Sequence, residues 1–334
     1  VRRFTNGKYI YWFCFHGGEK LGHTPGVEEW VGYAHRNPIW MCGGVEKKGR
    51  IHWSEPEVIL YDDKIGNRMS YPDFIEEDGR YFFTETQKNT ARVHELDRDL
   101  LEAMWEQGES KEVTRRGLVL EHASGPGDVE MPELPRLHNR GSGKLSATTG
   151  ATVQGKETEV VLARGGLALE CHVQFEDLEP WQVLFDSRDE EGRGMFLQLT
   201  DRATLRLTVA GRVYDEPGAR WGNGPVECSW DCDRGLLETG RDHHVVFIVD
   251  GGPKLISVVV DGILCDGGPE REFGWARFHP CLKEANGAAH ARVAPDLHGK
   301  LRVLRLYNRY LRTSEAVANC HAGDKCGSGF PGKD

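Results

Sequence analysis

The sequence predicts an all-β protein with two domains. Short runs rich in aromatic and β-branched residues recur between polar or glycine-containing turns, as at residues 8–13 and 80–84,. A chain of 334 residues is longer than one hydrophobic core usually supports,. Between residues 121 and 155 the composition shifts to Gly, Pro, Ser and Thr, which marks a domain boundary or a long connection,. An all-β domain is therefore expected on each side of this segment.

The first domain is expected at residues 1–115 and a connecting segment at residues 116–155. Aromatic strands are predicted in the domain at residues 8–13, 38–41, 57–61 and 80–84,. A short helix is predicted over residues 97–105, because four apolar side chains recur there at helical spacing between charged residues. These side chains are Leu100, Leu101, Met104 and Trp105.

The second domain is expected at residues 156–323 and is followed by a flexible tail at 324–334. Alternation from Leu167 to Phe175 predicts a strand with one buried face,. Two apolar runs, 244–249 and 255–260, are separated by an Asp-Gly-Gly-Pro turn and predict a hairpin,. A last strand is predicted at residues 300–307, before a short helix that Thr313 or Ser314 can cap. Seven or more strands at this spacing indicate a β-sandwich.

Charge and hydropathy exclude two classes of partner. The net charge is −10, and Lys and Arg are scattered through the sequence, whereas nucleic-acid binding requires a basic stripe. We therefore expect no nucleic-acid partner. No apolar run approaches the roughly 18 residues of a transmembrane helix, so no membrane span is expected.

The predicted metal and cofactor content is low. The nine cysteines lack the paired spacing of a zinc site,, and Cys14, Cys42 and Cys171 are equally compatible with disulfides and with buried thiols. His243 and His244 are adjacent on a strand and point to opposite faces, so they cannot both reach one ion. No cofactor is predicted apart from a possible calcium ion.

Two other features of the second half have open interpretations. Asp231 and Asp233 supply carboxylate oxygens of the kind that bind calcium, or they are solvated turn residues. Three tryptophans beside glycine-rich loops can stack on sugar rings, although packing and loop anchoring are commoner roles for Trp. These are Trp221, Trp230 and Trp275.

The second half resembles the laminin-G-like, concanavalin A-like jelly roll. The resemblance is carried by residues 167–173, 243–250 and 258–262, and by the closing segment 304–315. It implies a β-sandwich jelly roll with a lectin-like role, although domains of this fold serve as lectins, enzymes or spacers.

The first half resembles the late blades of sialidases and related proteins with Asp-box repeats. The matching features are an arginine at residue 36, a turn that ends at Trp53, a tyrosine at residue 71, an acidic-glycine hairpin at residues 76–80 and a glutamate at residue 85. Residues 1–115 supply about two blades, so the resemblance implies a partial β-propeller. Because a propeller needs at least four blades, we expect the isolated chain to be an inactive C-terminal fragment with exposed edge strands.

The resemblance implies a set of site residues. Arg36 corresponds to a carboxylate-binding arginine of the family, with Arg68 as the alternative. Tyr71 corresponds to the nucleophilic tyrosine, and Asp73 and Glu85 are candidate site carboxylates. Arginine suits a sugar carboxylate because it donates parallel charged hydrogen bonds. A neutral phenol avoids the repulsion that a carboxylate nucleophile would meet beside an acidic sugar.

Three functional hypotheses follow. The leading one is a secreted, cell-surface or periplasmic retaining glycoside hydrolase of the sialidase class that acts on terminal acidic sugars. The second is a non-catalytic carbohydrate-binding or adhesive protein, in which Tyr71 and Arg36 have only structural roles. The third is a propeller glycosidase with paired carboxylates, drawn from Glu55, Glu57, Asp73 and Glu85. All three have a glycan as the partner.

Overall fold

The all-β class is confirmed by the computed structural model. The structure describes residues 1–14, 36–62, 69–87, 90–137, 165–211, 226–279 and 281–323. In these ranges the strands form four sheets in which every paired strand is antiparallel, and they are accompanied by two short helices. Within the same ranges, neither helix has the length and apolar character needed to cross a bilayer.

Two sheets form the N-terminal half. The five-stranded sheet contains β1 (Arg2–Arg3), β2 (Tyr9–Phe13), β3 (Ile39–Lys47), β4 (Arg50–Trp53) and β5 (Glu57–Leu60). The three-stranded sheet contains β6 (Ser70–Glu77), β7 (Arg80–Gln87) and β8 (Thr90–Leu96), and the helix α1 (Arg98–Trp105) follows it.

The two N-terminal sheets pack against each other through a shared apolar core. Ile10 and Met41 of the first sheet and Phe74 and Phe83 of the second belong to the same buried cluster. The Phe4 ring meets Phe74 edge-on, with 4.8 Å between ring centroids. Alternation along each strand directs these side chains to one face, so the predicted aromatic strands build the core.

The predicted helix at residues 97–105 is confirmed as α1. Asp97 is its N-cap residue, and its carboxylate accepts a hydrogen bond from the Asp99 amide at 2.9 Å,. The four predicted apolar side chains are all buried. Helical periodicity therefore identified the face that packs on the sheets.

Two larger sheets form the C-terminal half. The seven-stranded sheet contains β9 (Leu118–Ala123), β11 (Gly166–Phe175), β16 (Asp242–Asp250), β17 (Leu255–Val260), β18 (Ile263–Leu264), β19 (Trp275–Arg277) and β21 (Gly299–Tyr307). The six-stranded sheet contains β10 (Gly127–Glu130), β12 (Val183–Asp186), β13 (Gly194–Leu199), β14 (Leu205–Gly211), β15 (Val226–Asp231) and β20 (His290–Val293). The helix α2 (Thr313–Ala322) closes the described chain.

The two larger sheets enclose one apolar core. Leu169 and Val173 of β11 face Leu197 and Leu207 of the opposite sheet within a single buried cluster, as expected for a β-sandwich. The predicted hairpin is present, since β16 pairs with β17 around the Asp-Gly-Gly-Pro turn. The hydrophobic pattern of the sequence therefore identified the core strands β11, β16, β17 and β21.

The expected connecting segment at residues 116–155 contains sandwich strands at its N-terminal end. β9 pairs with β21, and β10 pairs with β20. The sequence did not predict these strands, because β9 and β10 are edge strands whose outer residues are polar, so their composition resembles that of a loop. The described residues beyond β10, up to 137, add Leu134 and Leu137 to the sandwich core.

The N-terminus of α2 is bound by a glutamate from the N-terminal half. The buried Glu57 carboxylate accepts hydrogen bonds from the Thr313 amide at 3.0 Å and from the Ser314 amide at 2.7 Å. The Ser314 hydroxyl donates a third, at 2.6 Å. The prediction that Thr313 or Ser314 caps the helix was wrong: Arg312 is the N-cap residue, and Glu57 supplies the acceptor that a capping side chain normally provides.

Further contacts join the two halves beside this interaction. Arg312 donates to Asp97 at 2.9 Å, which links α2 to α1. Glu55 accepts from the Leu264 amide at 2.9 Å. Trp40 of β3 packs with Leu255, Phe273 and Trp275 of the sandwich in one buried cluster. The interface therefore combines an apolar patch with buried charged hydrogen bonds.

Replacing Glu57 tests the contribution of the helix contact. Glu57→Ala leaves three buried donors without acceptors, and we expect the free energy of unfolding to fall by about 1–3 kcal/mol. The measurement is urea denaturation followed by tryptophan fluorescence. The exposed Glu112→Ala is the matched control and should change stability by less than about 0.5 kcal/mol. Equal stability of the two variants would show that the contact contributes nothing.

Candidate functional site

Tyr71 is an exposed tyrosine in an unusual backbone conformation. Its side chain is 85 % exposed, and its φ of 48° lies in the left-handed region. The pairing of β6 with β7 shifts register between Ser70 and Asp73, so Tyr71 lies in a β-bulge. A bulky residue with positive φ is strained by about 1–3 kcal/mol, and such residues concentrate at functional sites.

Arg36 lies beside the residue that precedes Tyr71. Its Nη1 donates a hydrogen bond to the Ser70 hydroxyl at 3.0 Å. The Ser70 carbonyl in turn accepts from the Thr86 hydroxyl of β7 at 3.3 Å. The two residues assigned by resemblance, Arg36 and Tyr71, are thus brought to the same end of β6 by a side-chain contact and a strand pairing.

Glu85 belongs to a buried polar group that we call the Glu85 cluster: Asn37, Asp62, Glu85, Arg92 and His94. Glu85 is fully buried and forms an ion pair with Arg92 across the β7–β8 ladder. Arg92 also donates to Asp62 at 3.2 Å. Asp62 and Asn37 exchange two hydrogen bonds, of 2.9 and 3.1 Å. The cluster therefore extends from Glu85 to the residue next to Arg36.

Two polar atoms of the Glu85 cluster are unsatisfied. Glu85 Oε2 and Arg92 Nη2 are buried and have no hydrogen-bond partner among the described residues. Buried polar groups are nearly always paired, and exceptions concentrate at strained or functional positions. The cluster is therefore both an ion-pair network and a group with spare hydrogen-bonding capacity.

The other predicted site residues are not brought to this group. Asp73 forms an ion pair with Arg2 at 2.6 Å on the surface, where hydrogen bonding to Arg2 lowers the pKa of its carboxyl. Arg68 lies outside the described residues. Glu55 and Glu57, from the pool for paired carboxylates, are engaged by Leu264 and by α2 at the interface between the halves. Of these carboxylates, Glu85 is connected through Arg92, Asp62 and Asn37 to the residue next to Arg36.

The carboxylates considered for calcium are bound by other groups. Arg206 donates to both oxygens of Asp231, at 2.6 and 3.1 Å. Asp233 accepts from Arg271 and from the amides of Asp266 and Gly267. These contacts favour ion pairing over metal coordination at both positions.

Trp230 and Trp275 have packing and anchoring roles. Trp230 packs on the sandwich core and donates its indole N–H to the Gly274 carbonyl at 3.0 Å, and Trp275 is buried at the interface. Trp221 lies outside the described residues. Cys14, Cys42 and Cys171 are free thiols. Cys42 and Cys171 are buried in strands, as the thiol alternative expects, whereas Cys14 is half-buried and follows β2.

A second polar cluster lies on the outer face of the seven-stranded sheet, against α2. The buried Glu170 accepts from Arg305 at 2.6 Å, from Asn319 of α2 at 2.7 Å and from the Tyr307 hydroxyl at 3.0 Å. His244 and His172 also contact it, at 3.2 and 3.6 Å. The three candidate ligand atoms of Glu170, His172 and His244 lie within 4.8 Å of one another, a spacing that a metal ion requires.

The Glu170 cluster is better explained as a hydrogen-bonded ion-pair network, although the buried His244 Nδ1 has no partner among the described residues. Both carboxylate oxygens are occupied, and the Arg305 guanidinium supplies the positive charge that an ion would bring,. Burial by itself raises the pKa of Glu170, but contacts with His172, His244 and Arg305 lower it well below its ordinary value. The expected divergence of His243 and His244 is confirmed, because His243 contacts Asp261 instead.

Sequence analysis missed the Glu170 cluster, although a signal for it was present. Glu170 and His172 are separated by one residue within an apolar strand, so they share a face. His172 is directly opposite His244 in the β11–β16 ladder. The alternation was visible in the sequence, whereas the pairing that brings His244 opposite His172 is a property of the fold.

Comparisons with known proteins found likeness only among solved structures. No protein-family model matches the sequence, and no curated protein matches it. The CBM40 of Ruminococcus gnavus IT-sialidase bound to α2,3-sialyllactose is 14 % identical, with a TM-score of 0.36, and the match covers 60 % of this chain and 98 % of that chain. Trypanosoma rangeli sialidase is also 14 % identical, with a TM-score of 0.36, over 95 % of this chain and 52 % of its own.

A third similar structure is the leech intramolecular trans-sialidase in complex with 2,7-anhydro-Neu5Ac. It is 13 % identical, with a TM-score of 0.37, over 62 % of this chain and 28 % of its own. This chain therefore spans about half of the Trypanosoma protein and a smaller part of the leech protein. Likeness at this level carries no inference about activity.

The Glu170 cluster predicts how stability depends on pH. Burial lowers the pKa of His244. Below about pH 6.5 the unfolded chain therefore binds a proton that the folded chain resists, so the free energy of unfolding decreases as the pH is lowered. We expect His244→Gln to reduce this loss between pH 7.5 and 5.5, measured as urea midpoints. The Glu170 contribution is present above about pH 4.3 and is lost only below it, so it does not interfere.

The exposed His290→Gln is the control for this measurement, and it should retain the wild-type loss of stability. If His244→Gln lost as much stability as the wild type over the same range, His244 would not be held neutral in the folded protein.

Proposed function

We propose that this protein is carbohydrate-active and recognises an acidic sugar at the surface formed by Arg36, Ser70 and Tyr71. One observation carries the proposal: an exposed aromatic residue is held in a strained conformation, and Arg36 is hydrogen-bonded to the residue before it. Strain of this kind persists only where the surrounding structure imposes it, and it concentrates at ligand and catalytic sites.

The chemistry of the two side chains suits an acidic sugar. Arg36 is a fixed cation with several donors, which matches a sugar carboxylate. Tyr71 projects a phenol into solvent, where it is accessible to a ligand. In the sialidase class a tyrosine is the nucleophile of a retaining reaction. Sialic acid is therefore the first sugar to test, as the sequence resemblance implies.

The rest of the chain is proposed to serve this site. We propose that the two N-terminal sheets are adjacent blades of a β-propeller, supported by their face-to-face packing, and that the sandwich is a lectin-like jelly roll. The Glu85 cluster fixes the segment next to Arg36. Glycans are the proposed partners, and the proposed location is outside the cell, on its surface or in the periplasm.

A second candidate function is glycan binding without catalysis. Glu85 is fully buried in an ion pair, and Asp73 is paired with Arg2. Neither predicted carboxylate is thus presented as a base beside Tyr71, and a tyrosine nucleophile needs such a base. This observation favours binding for the described residues taken alone.

Tyr71→Phe separates the two functions. In the sialidase function, removal of the hydroxyl abolishes hydrolysis of a fluorogenic sialoside by the natural full-length protein, while affinity for 3′-sialyllactose changes less than about twofold. Hydrolysis that the variant performs at the wild-type rate would remove the tyrosine from the mechanism. Binding by a wild-type protein that does not hydrolyse the sialoside would establish the binding function.

Arg36→Gln tests recognition of the carboxylate. Loss of a charged hydrogen bond is expected to weaken 3′-sialyllactose binding about tenfold or more, measured by calorimetry. Arg80→Gln is the matched control, because Arg80 is an exposed arginine that is paired with Glu95 on the three-stranded sheet that also carries Tyr71. The control should bind like the wild type. Unchanged binding by Arg36→Gln would contradict the proposed site.

A further inference from the structure

Two buried cysteines lie on neighbouring segments at one side of the sandwich. Cys232 follows β15, the terminal strand of the six-stranded sheet in the described part of the chain, and Cys265 follows β18, a terminal strand of the seven-stranded sheet. Both side chains belong to the sandwich core, where Cys232 is 1 % and Cys265 is 5 % exposed. An edge strand has a backbone partner on one side only, so side-chain contacts hold the two sheets together here.

Three hydrogen bonds hold the two cysteine segments side by side. One carboxylate oxygen of Asp233 accepts from the amides of Asp266 and Gly267, at 3.0 and 3.1 Å. In the opposite direction, the Asp233 amide donates to the sulfur of Cys265 at 3.5 Å. The residue that follows each cysteine is therefore bound to the segment that carries the other cysteine.

The hydrogen bond to the Cys265 sulfur limits the separation of the two cysteines. In a trans peptide the N–H points to the same side as the preceding α-carbon, and among the described residues only the Asn37–Pro38 bond is cis. The Cys265 sulfur therefore lies about 4 Å from the α-carbon of Cys232, and the two α-carbons are at most about 7 Å apart. Disulfides span α-carbon separations of roughly 4.4–6.8 Å. The backbone positions are therefore compatible with a disulfide.

The two thiols differ from a disulfide by a side-chain rotation. Both are free thiols in the structure, and the Cys232 sulfur accepts a hydrogen bond from the Leu205 amide at 3.3 Å. Rotation about the Cα–Cβ bond of Cys232 turns its sulfur from that amide toward Cys265. The rotation gives up a contact with a weak acceptor and leaves the strands in place.

From this geometry we propose that Cys232 and Cys265 form a disulfide that joins the two sheets of the sandwich. With oxidised glutathione as the oxidant, one cysteine thiolate attacks the glutathione disulfide and releases one glutathione. The other cysteine thiolate then attacks the mixed disulfide and releases the second. The two cysteine thiols are oxidised, the glutathione disulfide is reduced to two thiols, and the two cysteine protons pass to these thiols.

The proposed bond forms while the chain folds. In the folded protein, burial raises the pKa of Cys232 to about 12 and raises the pKa of Cys265 well above its ordinary value. A protonated thiol is not the nucleophile of this reaction, so the buried thiols do not react. Once the bond has formed, the same burial shields it from reductants. The disulfide is therefore a stabilising cross-link of the sandwich, and it does not depend on Arg36 or Tyr71.

Peptide mapping of the full chain tests the pairing. The protein is refolded in a mixture of reduced and oxidised glutathione, its remaining thiols are blocked with iodoacetamide, and tryptic peptides are analysed by mass spectrometry. We expect a cross-linked peptide pair in which fragment spectra assign the bond to Cys232 and Cys265. Alkylated Cys265, or a bond from Cys265 to any other cysteine, would overturn the proposal.

Thermal unfolding tests what the bond contributes. For each protein, the Tm after refolding in the glutathione mixture is compared with the Tm after refolding in reductant, so that the effect of the substitution itself cancels. We expect the wild type to lose about 5–15 °C more on reduction than Cys265→Ser. The Cys320 disulfide is common to all the proteins compared and does not alter this difference.

Cys228→Ser is the matched control, because Cys228 is another buried cysteine and lies within β15. It should lose as much as the wild type on reduction. An equal loss in the wild type and in Cys265→Ser would show that the bond contributes nothing. If Cys265→Ser does not fold, Cys265→Ala replaces it, and the peptide map of the wild type decides the pairing without any variant.

Discussion

The contact between Glu57 and the N-terminus of α2 is the constraint on which the arrangement of the two halves depends. A fully buried carboxylate is costly unless its oxygens are hydrogen-bonded, and Glu57 finds its donors in the first residues of a helix more than 250 positions away. Burial raises the pKa of Glu57, and the bonds from Ser314 and Thr313 oppose that shift. Neither half alone provides both the Glu57 carboxylate and the amides of Thr313 and Ser314 that bind it. These groups are therefore hydrogen-bonded to each other only when the two halves are in contact.

The interface also reaches the proposed site. The buried Arg277 of β19 donates to the Pro253 carbonyl at 2.6 Å and to the Asn37 carbonyl, so the sandwich holds the backbone next to Arg36. The Asn37 side chain then binds Asp62, which binds Arg92, which binds Glu85. A continuous series of contacts thus links the sandwich to the strands that carry Tyr71. Disruption of the interface is therefore expected to change the position of the backbone next to Arg36 and of the strands that carry the site.

The sequence predicted the features of the fold that depend on local residue patterns. Alternation identified the sandwich strands, and helical spacing identified the buried face of α1, because both depend on residues near one another in the chain. The errors concern partners that are far apart. The acceptor for the Thr313 and Ser314 amides of α2 is the distant Glu57, and the polar strands β9 and β10 form by pairing with β21 and β20. For the site, resemblance named Arg36, Tyr71 and Glu85, but burial of Glu85 and the surface pairing of Asp73 follow only from the fold.

The physical state of the Tyr71 site is imposed by the rest of the fold. At Tyr71 the backbone is strained, and the nearby Glu85 cluster contains buried polar atoms without partners among the described residues. Both features cost folding free energy whether or not a ligand is bound, so they persist only because the surrounding strands and ion pairs hold them in place. A backbone that is already fixed loses little entropy on binding, which suits a site that recognises a ligand through Tyr71 and Arg36.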